Sequence, residues 1–374
     1  MTRLSKLGKT VLAIYLVQAI VLTTLECLVV YFHVSFVNNY ALDETGQGIS
    51  ESDLIYHAIF ILAQAFQLII CVDALFNRNT IQLVALAILN FITLSYAGVQ
   101  TYQHIILEDQ GTKDATWSPV DPNRFRSSDD AKIFFEGRMR PLEYIIIGIV
   151  VACSVVLGIL TRYLVIEFGW KNYQTYSGDP SVRKAFVEIT LLMTLIKMNI
   201  FFVGTYAIQL IPSEKLGYSK TMTETICVFV VGTIAFIIAW VGTAKEQKYC
   251  LLSVIGILIL SVAYFLYRIV DVNMHAHRIP DPYLYTRRFL TLFLAVVFCL
   301  TLATIVNMGI CIRNLMNGLY VLTVYGHDGS GDLDYDDLST PKTNREKRQS
   351  QVAAAREHNR RLIYTNANKP PSVY

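Results

Sequence analysis

Two charged side chains lie deep inside long apolar segments of this sequence, and they are the residues best placed to do chemistry. Lys197 lies near the middle of the apolar run from Ala185 to Ile211, and Glu26 lies inside the first apolar run. A charge at that depth in a membrane needs a partner or a wet cavity. If both helices run in the same direction, Glu26 falls roughly 6 Å further along than Lys197, which a lysine stem can span. The sequence therefore predicts a Glu26–Lys197 pair.

Five amide side chains inside apolar runs complete a hypothetical intramembrane polar centre with this pair. They are Asn90, Gln100, Asn199, Gln209 and Asn307. Hydrogen bonds between helices are their expected role, worth about 0.6–2 kcal/mol each. A ligand-binding cluster is the alternative. The charged pair likewise has two interpretations, a packing and registry device or a relay for a proton, ion or substrate, and the two groups could also not meet at all.

The remaining motifs indicate no catalytic, cofactor-binding or metal-ligating residue. His275 and His277 stand two apart beside Asp271 and Asp281, yet a zinc site uses three or four ligands at recognised spacing. We interpret these two histidines as solvent-exposed residues of a loop. HExxH, GxSxG, Walker and GxGxxG motifs are absent from the sequence. These absences argue against an enzyme without excluding an unfamiliar active site, and they predict no cofactor.

Composition places these residues in a membrane. Of 374 residues, 53% are hydrophobic and only 16% are charged, and several uncharged runs are long enough to cross a bilayer. The net charge of +3 is too small and too scattered for a nucleic-acid partner. All seven cysteines lie in or beside apolar runs, which predicts no framework of loop disulfides.

The hydropathy pattern predicts an all-α, polytopic transmembrane bundle of eight helices, or of seven if one segment lies in the interface. The predicted helices are 10–36, 54–76, 80–106, 142–166, 185–211, 223–243, 250–270 and 289–312. Residues 1–319 form the bundle in this interpretation, and residues 320–374 form a polar, disordered cytosolic tail. No internal repeat indicates an inverted-repeat transporter.

Basic residues near the membrane predict the orientation. The N-terminus carries Arg3, Lys6 and Lys9, whereas the loop 38–53 carries acidic residues and no basic one. Basic residues favour the cytosolic side, so both termini are expected in the cytosol after eight crossings. The loop between the third and fourth helices also contains basic residues and argues the other way.

Several motifs, taken in chain order, resemble one known family. They are Cys71-Val-Asp73-Ala-Leu, Asn79-Thr-Ile-Gln82, Gly169-Trp170-Lys171, Ile196-Lys197-Met-Asn199 and Ala303-Thr-Ile-Val-Asn307. Together they resemble the uncharacterised fungal multipass proteins known as Golgi apparatus membrane proteins. The resemblance implies a multipass helical fold and a Golgi membrane location, and it supplies no biochemical activity. Where the family pattern has an aspartate two residues after the lysine, this chain has Asn199.

Four functional hypotheses follow. The first is a non-enzymatic protein of the Golgi and secretory pathway that contacts membrane lipids and an unknown protein partner or cargo through its helices. The second is a transporter or channel with a polar site around Lys197 and Glu26. The third is a seven-helix receptor-like protein, which needs an odd number of crossings. An intramembrane enzyme comes last.

Overall fold

Eight long helices dominate the structure, a computed structural model that describes residues 4–37, 40–41, 44–111, 118–119, 133–175, 180–210, 221–274, 283 and 286–322. The helices are α1 (Lys6–Val37), α2 (Glu44–Phe76), α3 (Thr80–Gly111), α4 (Arg140–Thr175), α5 (Pro180–Leu210), α6 (Thr221–Ala244), α7 (Lys248–Met274) and α8 (Arg287–Met316). Each is long and apolar enough to cross a membrane. The predicted all-α bundle of eight spans is confirmed, and the seven-helix alternative loses its basis.

The helix boundaries differ from the prediction mainly at α2. This helix begins at Glu44 rather than at Leu54, so Asp53 lies within a helix and not in a loop. A short π-helix (Phe135–Met139) leads into α4. The two-residue strands β1 (Tyr40–Ala41) and β2 (Ser118–Pro119) pair antiparallel in the connections.

The helices pack as two groups of four. In the first four-helix group, α1 packs on α2, α2 on α3, α3 on α4, and α4 on α1. In the second four-helix group, α5, α6, α7 and α8 close a ring in the same manner. The two groups meet where α2 and α3 contact α5 and where α3 contacts α8. This arrangement creates two polar interiors and one junction between them.

The α5 helix occupies the centre of the junction. Its apolar window is 56% buried, the largest share among the eight spans, whereas the windows of α4, α6 and α7 are each 22% buried. The outer helices therefore present apolar faces to lipid. Tight turns follow α2 and α6, and each contains a non-glycine residue at positive φ, Arg78 (49°) and Glu246 (51°).

Several predicted features lie outside the described residues. They include the tail from residue 323 onward, most of the loop between α3 and α4, and the His275-x-His277 pair. The division into a bundle and a tail at residue 319, and the cytosolic side of both termini, therefore stay predictions.

Candidate metal centre

A buried cluster of histidines and carboxylates fills the interior of the first four-helix group, at the end opposite the α2–α3 turn. Every helix of the group contributes to it: Glu26 and His33 from α1, Asp53 and His57 from α2, Gln100 and His104 from α3, and Glu143 from α4. None of these residues is more than 5% exposed. Charged and polar groups at such burial must be paired, coordinate a metal, or destabilise the fold.

Helical spacing brings the cluster together. Asp53 and His57 are four residues apart, so they lie on one face of α2, and Gln100 and His104 have the same spacing on α3. Five of these residues were not predicted from the sequence, because Asp53 was expected in a loop and histidine spacing near the helix ends gives only a weak signal: His33, Asp53, His57, His104 and Glu143. The i, i+4 spacing of Asp53 and His57 was the signal available.

Asp53 lies at the centre of the cluster, and three imidazoles, one from each of three helices, face its carboxylate. His33 Nδ1 lies 3.2 Å from Asp53 Oδ2, and His57 Nε2 lies 3.4 Å from the same oxygen. His104 Nε2 lies 2.8 Å from Oδ1 and 2.9 Å from Oδ2. One ligand atom each from His33, Asp53 and His104 lie within 4.8 Å of one another. The spacing suits a single small cation.

The second nitrogen of each imidazole has its own partner, which fixes the ring. His57 Nδ1 lies 2.5 Å from Glu26 Oε2, and His104 Nδ1 contacts Glu143. His33 Nε2 lies 3.2 Å from Ser50 Oγ. Metal-bound histidines in proteins are oriented in this way, by a carboxylate or another acceptor on the nitrogen that does not bind the metal.

Two imidazole nitrogens that face Asp53 are left without a hydrogen bond. His33 Nδ1 and His57 Nε2 are fully buried, and neither has a hydrogen-bond partner among the described residues. Among those residues no lysine or arginine forms an ion pair with Glu26, Asp53 or Glu143. The cluster thus combines three carboxylates with two imidazole nitrogens that approach Asp53 at 3.2 and 3.4 Å without forming a hydrogen bond, and this donor set suits a divalent metal.

The predicted Glu26–Lys197 pair is wrong. Glu26 pairs with His57 and accepts a hydrogen bond from Gln100 Nε2 at 3.3 Å, inside the first group. Lys197 instead forms an ion pair with Asp73 and donates to Gln82 Oε1 at 3.2 Å. Its ammonium also lies 5.5 Å from the centroid of the Trp240 ring. The pair failed because the two residues lie near opposite ends of the bundle.

Lys197 is also shallower than its place in the sequence suggested. Its partner Asp73 is close to Phe76, the last residue of α2. Asp73 and Lys197 line one cavity together with residues of the α2–α3 turn. Phe186, Val187 and Thr190 of α5 line the same cavity, so the α2–α3 turn lies beside α5 after its first turns and not at its end. The lysine is 21% exposed, and its ion pair joins the two four-helix groups.

The five predicted amides do not form one centre. Gln100 joins the histidine cluster. Asn90 lies in the same group but nearer the α2–α3 turn, where its Oδ1 accepts a hydrogen bond from Gln18 Nε2 at 2.9 Å. Asn199 Nδ2 donates to Thr304 Oγ1 at 2.8 Å and so links α5 to α8. Asn307 accepts a weak hydrogen bond from Cys311, and buried Gln209 makes no side-chain hydrogen bond among the described residues.

The second four-helix group has its own buried charge, which was not among the residues predicted from the sequence. Arg268 on α7 is 1% exposed; its Nε lies 3.0 Å from Glu224 Oε1, and a terminal nitrogen donates to Asp271 at 2.8 Å. The same nitrogen donates to Tyr283 OH at 3.1 Å. Burial raises the pKa of Tyr283 to about 12, so this hydroxyl stays protonated. Two carboxylates and a tyrosine hydroxyl therefore surround the Nε and one terminal nitrogen of this arginine, so the buried cation already has its counter-charges.

Comparison with known proteins gives one informative similarity. The chain is 23% identical over 270 residues to a UPF0658 Golgi apparatus membrane protein of Schizosaccharomyces pombe, and the alignment covers 70% of this chain and 75% of the relative. This confirms the resemblance to the uncharacterised fungal Golgi membrane proteins. No protein-family model matches the chain. No solved structure matches it either.

Proposed function

We propose that this multipass membrane protein binds one divalent transition-metal ion, with Zn²⁺ the best fit, through His33, Asp53 and His104. One observation carries the proposal: imidazole nitrogens converge on the Asp53 carboxylate at 2.8–3.4 Å, and two of them make no hydrogen bond. In a tetrahedral site with metal–ligand bonds near 2.0–2.1 Å, neighbouring ligand atoms lie about 3.3 Å apart. The observed separations bracket that value.

The donor set narrows the choice of metal. Imidazole nitrogen suits Zn²⁺ and Fe²⁺, whereas Ca²⁺ and Mg²⁺ prefer oxygen ligands throughout. Two histidines and one carboxylate leave at least one coordination position, which His57 Nε2 is close enough to approach. With His57 Nε2 bound, and its Nδ1 held by Glu26, the site is closed and structural; without His57 the fourth position is open and able to bind water.

A Golgi location is the second part of the proposal. It is supported by the name of the Schizosaccharomyces pombe relative and by the ordered motifs that resemble its family. The basic N-terminus further supports cytosolic termini. Because α2 begins near the histidine cluster, the proposed metal then lies toward the lumenal side. A fluorescently tagged chain should co-localise with a Golgi marker, and a plasma-membrane signal would contradict this part.

Two further roles remain proposals. Transport is favoured by a chain of amides below the cluster, in which Gln18 Nε2 donates to Gln64 Oε1 at 3.2 Å and to Asn90, and Gln67 Nε2 donates to Thr93 Oγ1 at 2.7 Å. These groups extend the polar interior toward the α2–α3 turn. Zn²⁺ flux into liposomes would support this role, and Zn²⁺ binding without flux would contradict it.

Contact with a protein partner or cargo is favoured by the broad outer faces of α4, α6 and α7. A photoreactive residue at Tyr267, which is 64% exposed on α7, should then cross-link to a protein. Adducts with lipid alone would contradict that role.

Metal content tests the main proposal directly. Protein purified in detergent, loaded with Zn²⁺ and desalted should retain about one ion per chain, measured by elemental mass spectrometry. His33→Asn combined with His104→Gln should abolish retention, and Glu143→Gln should weaken affinity by about 10–100-fold, as loss of an outer-shell partner does. Size-exclusion elution and helical content verify that each variant is folded.

The matched control is His275→Ala combined with His277→Ala, which removes two histidines that are neither proposed ligands nor their partners. It should retain the ion in full. Absence of Zn²⁺ from the wild type, or its loss in this control and not in the cluster variants, would overturn the proposal.

A further inference from the structure

Two cavities of equal size meet at the start of α3, and they differ sharply in chemistry. The first, the polar cavity, has a volume of about 370 Å³ and is lined by Asp73, Arg78, Gln82, Lys197 and Trp240 among others. The second, the α3–α5 groove, also has a volume of about 370 Å³ and is lined almost wholly by apolar side chains of those two helices. Thr80 and Ile81 line both. A ligand could therefore occupy the two together.

The α3–α5 groove opens on the membrane-facing side of the bundle. Val84 and Ile88 on α3 line it and are 45% and 57% exposed, while Leu195 and Phe202 on α5 form the opposite wall. The same two α3 residues also line a third cavity of about 580 Å³ between α3 and α4. An apolar chain lying along α3 would cover surface that otherwise contacts bulk lipid.

The polar cavity lies at the end of the spans, where lipid headgroups are found. The α2–α3 turn forms part of its wall, and Trp240 is near the end of α6. Tryptophan is typical of the membrane–water interface. Neutral donors accompany the charges, because Asn77, Asn79, Thr80 and Thr190 also line the cavity.

The charge of this region is positive. Arg78 and Lys197 line the polar cavity with Asp73, which pairs with Lys197, so the formal charge of this lining is +1. Arg162 lines the third cavity, which shares Val84 and Ile88 with the α3–α5 groove. Basic side chains at this depth reach the interface by extending along apolar surface. Each such side chain strengthens attraction to an anionic lipid surface about fivefold.

From this juxtaposition we infer that the junction of the two four-helix groups binds one anionic phospholipid. The phosphate lies in the polar cavity near Arg78 and Lys197, and one acyl chain follows the α3–α5 groove. A water-soluble anion would use the polar cavity alone and leave the groove unexplained. The site is separate from the histidine cluster and does not depend on a bound metal.

The test is native mass spectrometry of the full chain in detergent, titrated with palmitoyl-oleoyl phosphatidylserine or with phosphatidylcholine of the same chains. We expect one phosphatidylserine per chain, bound about tenfold more tightly than phosphatidylcholine. Arg78→Asn removes one cation and tolerates the positive φ of this turn. It should weaken phosphatidylserine binding about fivefold and leave phosphatidylcholine binding unchanged.

A second variant tests the groove. Ala85→Phe places a ring within it and should weaken binding of both lipids, whereas Ala65→Phe, at an exposed position on α2 that lines none of these three cavities, should not. Lys245→Asn, in the exposed α6–α7 turn, is the matched control for Arg78→Asn.

Three results would overturn the inference. Equal binding of both lipids would remove the headgroup site. Displacement of phosphatidylserine by inorganic phosphate, with Ala85→Phe without effect, would indicate a site for soluble anions. A dimer that Ala85→Phe abolishes would assign the groove to a second copy of the chain.

Discussion

The Asp73–Lys197 ion pair should stabilise the junction of the two four-helix groups by a measurable amount. The two side chains are 33% and 21% exposed, which is intermediate between surface pairs worth about 0.2–1 kcal/mol and buried pairs whose disruption costs about 3–5 kcal/mol. Without Lys197, Asp73 keeps hydrogen bonds from Gln82 Nε2 at 2.7 Å and from Asn77 Nδ2 at 2.8 Å. Lys197→Met should therefore lower the free energy of unfolding by about 1–2 kcal/mol.

A double-mutant cycle isolates the pair. Asp73→Asn combined with Lys197→Met leaves no unpaired charge, so it should be about 1 kcal/mol more stable than the sum of the two single effects. The assay is reversible unfolding by dodecyl sulfate in mixed micelles, followed by circular dichroism. Lys245→Met, in the exposed turn after α6, is the control and should be neutral. Additive single effects, with no coupling, would refute the reasoning.

Three further predictions concern other parts of the bundle. Arg268→Met should destabilise the second group by about 3–5 kcal/mol in the same assay, because Glu224 and Asp271 lose a buried partner; a neutral result would show that the network adds no stability. Glu246→Gln should speed amide exchange at Val321, whose backbone N–H donates to the Glu246 carboxylate at 2.7 Å, and unchanged exchange there would contradict this. Reporters of glycosylation fused to either terminus should both stay unmodified if eight spans leave both ends in the cytosol, and a modified terminus would reverse that topology.

The sequence was sufficient for the helices because hydropathy alone identifies a span. The bounds of α3 and α6 were predicted within a few residues. The start of α2 was not predicted because its first turns are polar and resemble a loop. Helical propensity alone is too weak a signal to distinguish the two. That error removed Asp53 from consideration.

Pairing between distant helices was not predictable from the sequence. The Glu26–Lys197 hypothesis assumed that the middle of each apolar run lies at the middle of the membrane, and α5 violates this because it begins beyond the α2–α3 turn. Asp73, the actual partner of Lys197, is a charged residue near the end of a predicted helix. The position of a residue along its helix, however, does not show which other helices lie next to it. His104 and Glu143 meet only because α3 packs on α4, a contact that no local pattern encodes.

X-ray absorption spectroscopy of the Zn²⁺-loaded protein tests the central claim most directly, because it identifies the atoms around the metal. A site built from His33, Asp53 and His104 predicts nitrogen and oxygen scatterers at about 2.0–2.1 Å with the multiple-scattering pattern of imidazole. The spectrum should change when His33 and His104 are replaced. A sulfur scatterer at about 2.3 Å, or a spectrum of hydrated Zn²⁺ without imidazole, would contradict the account.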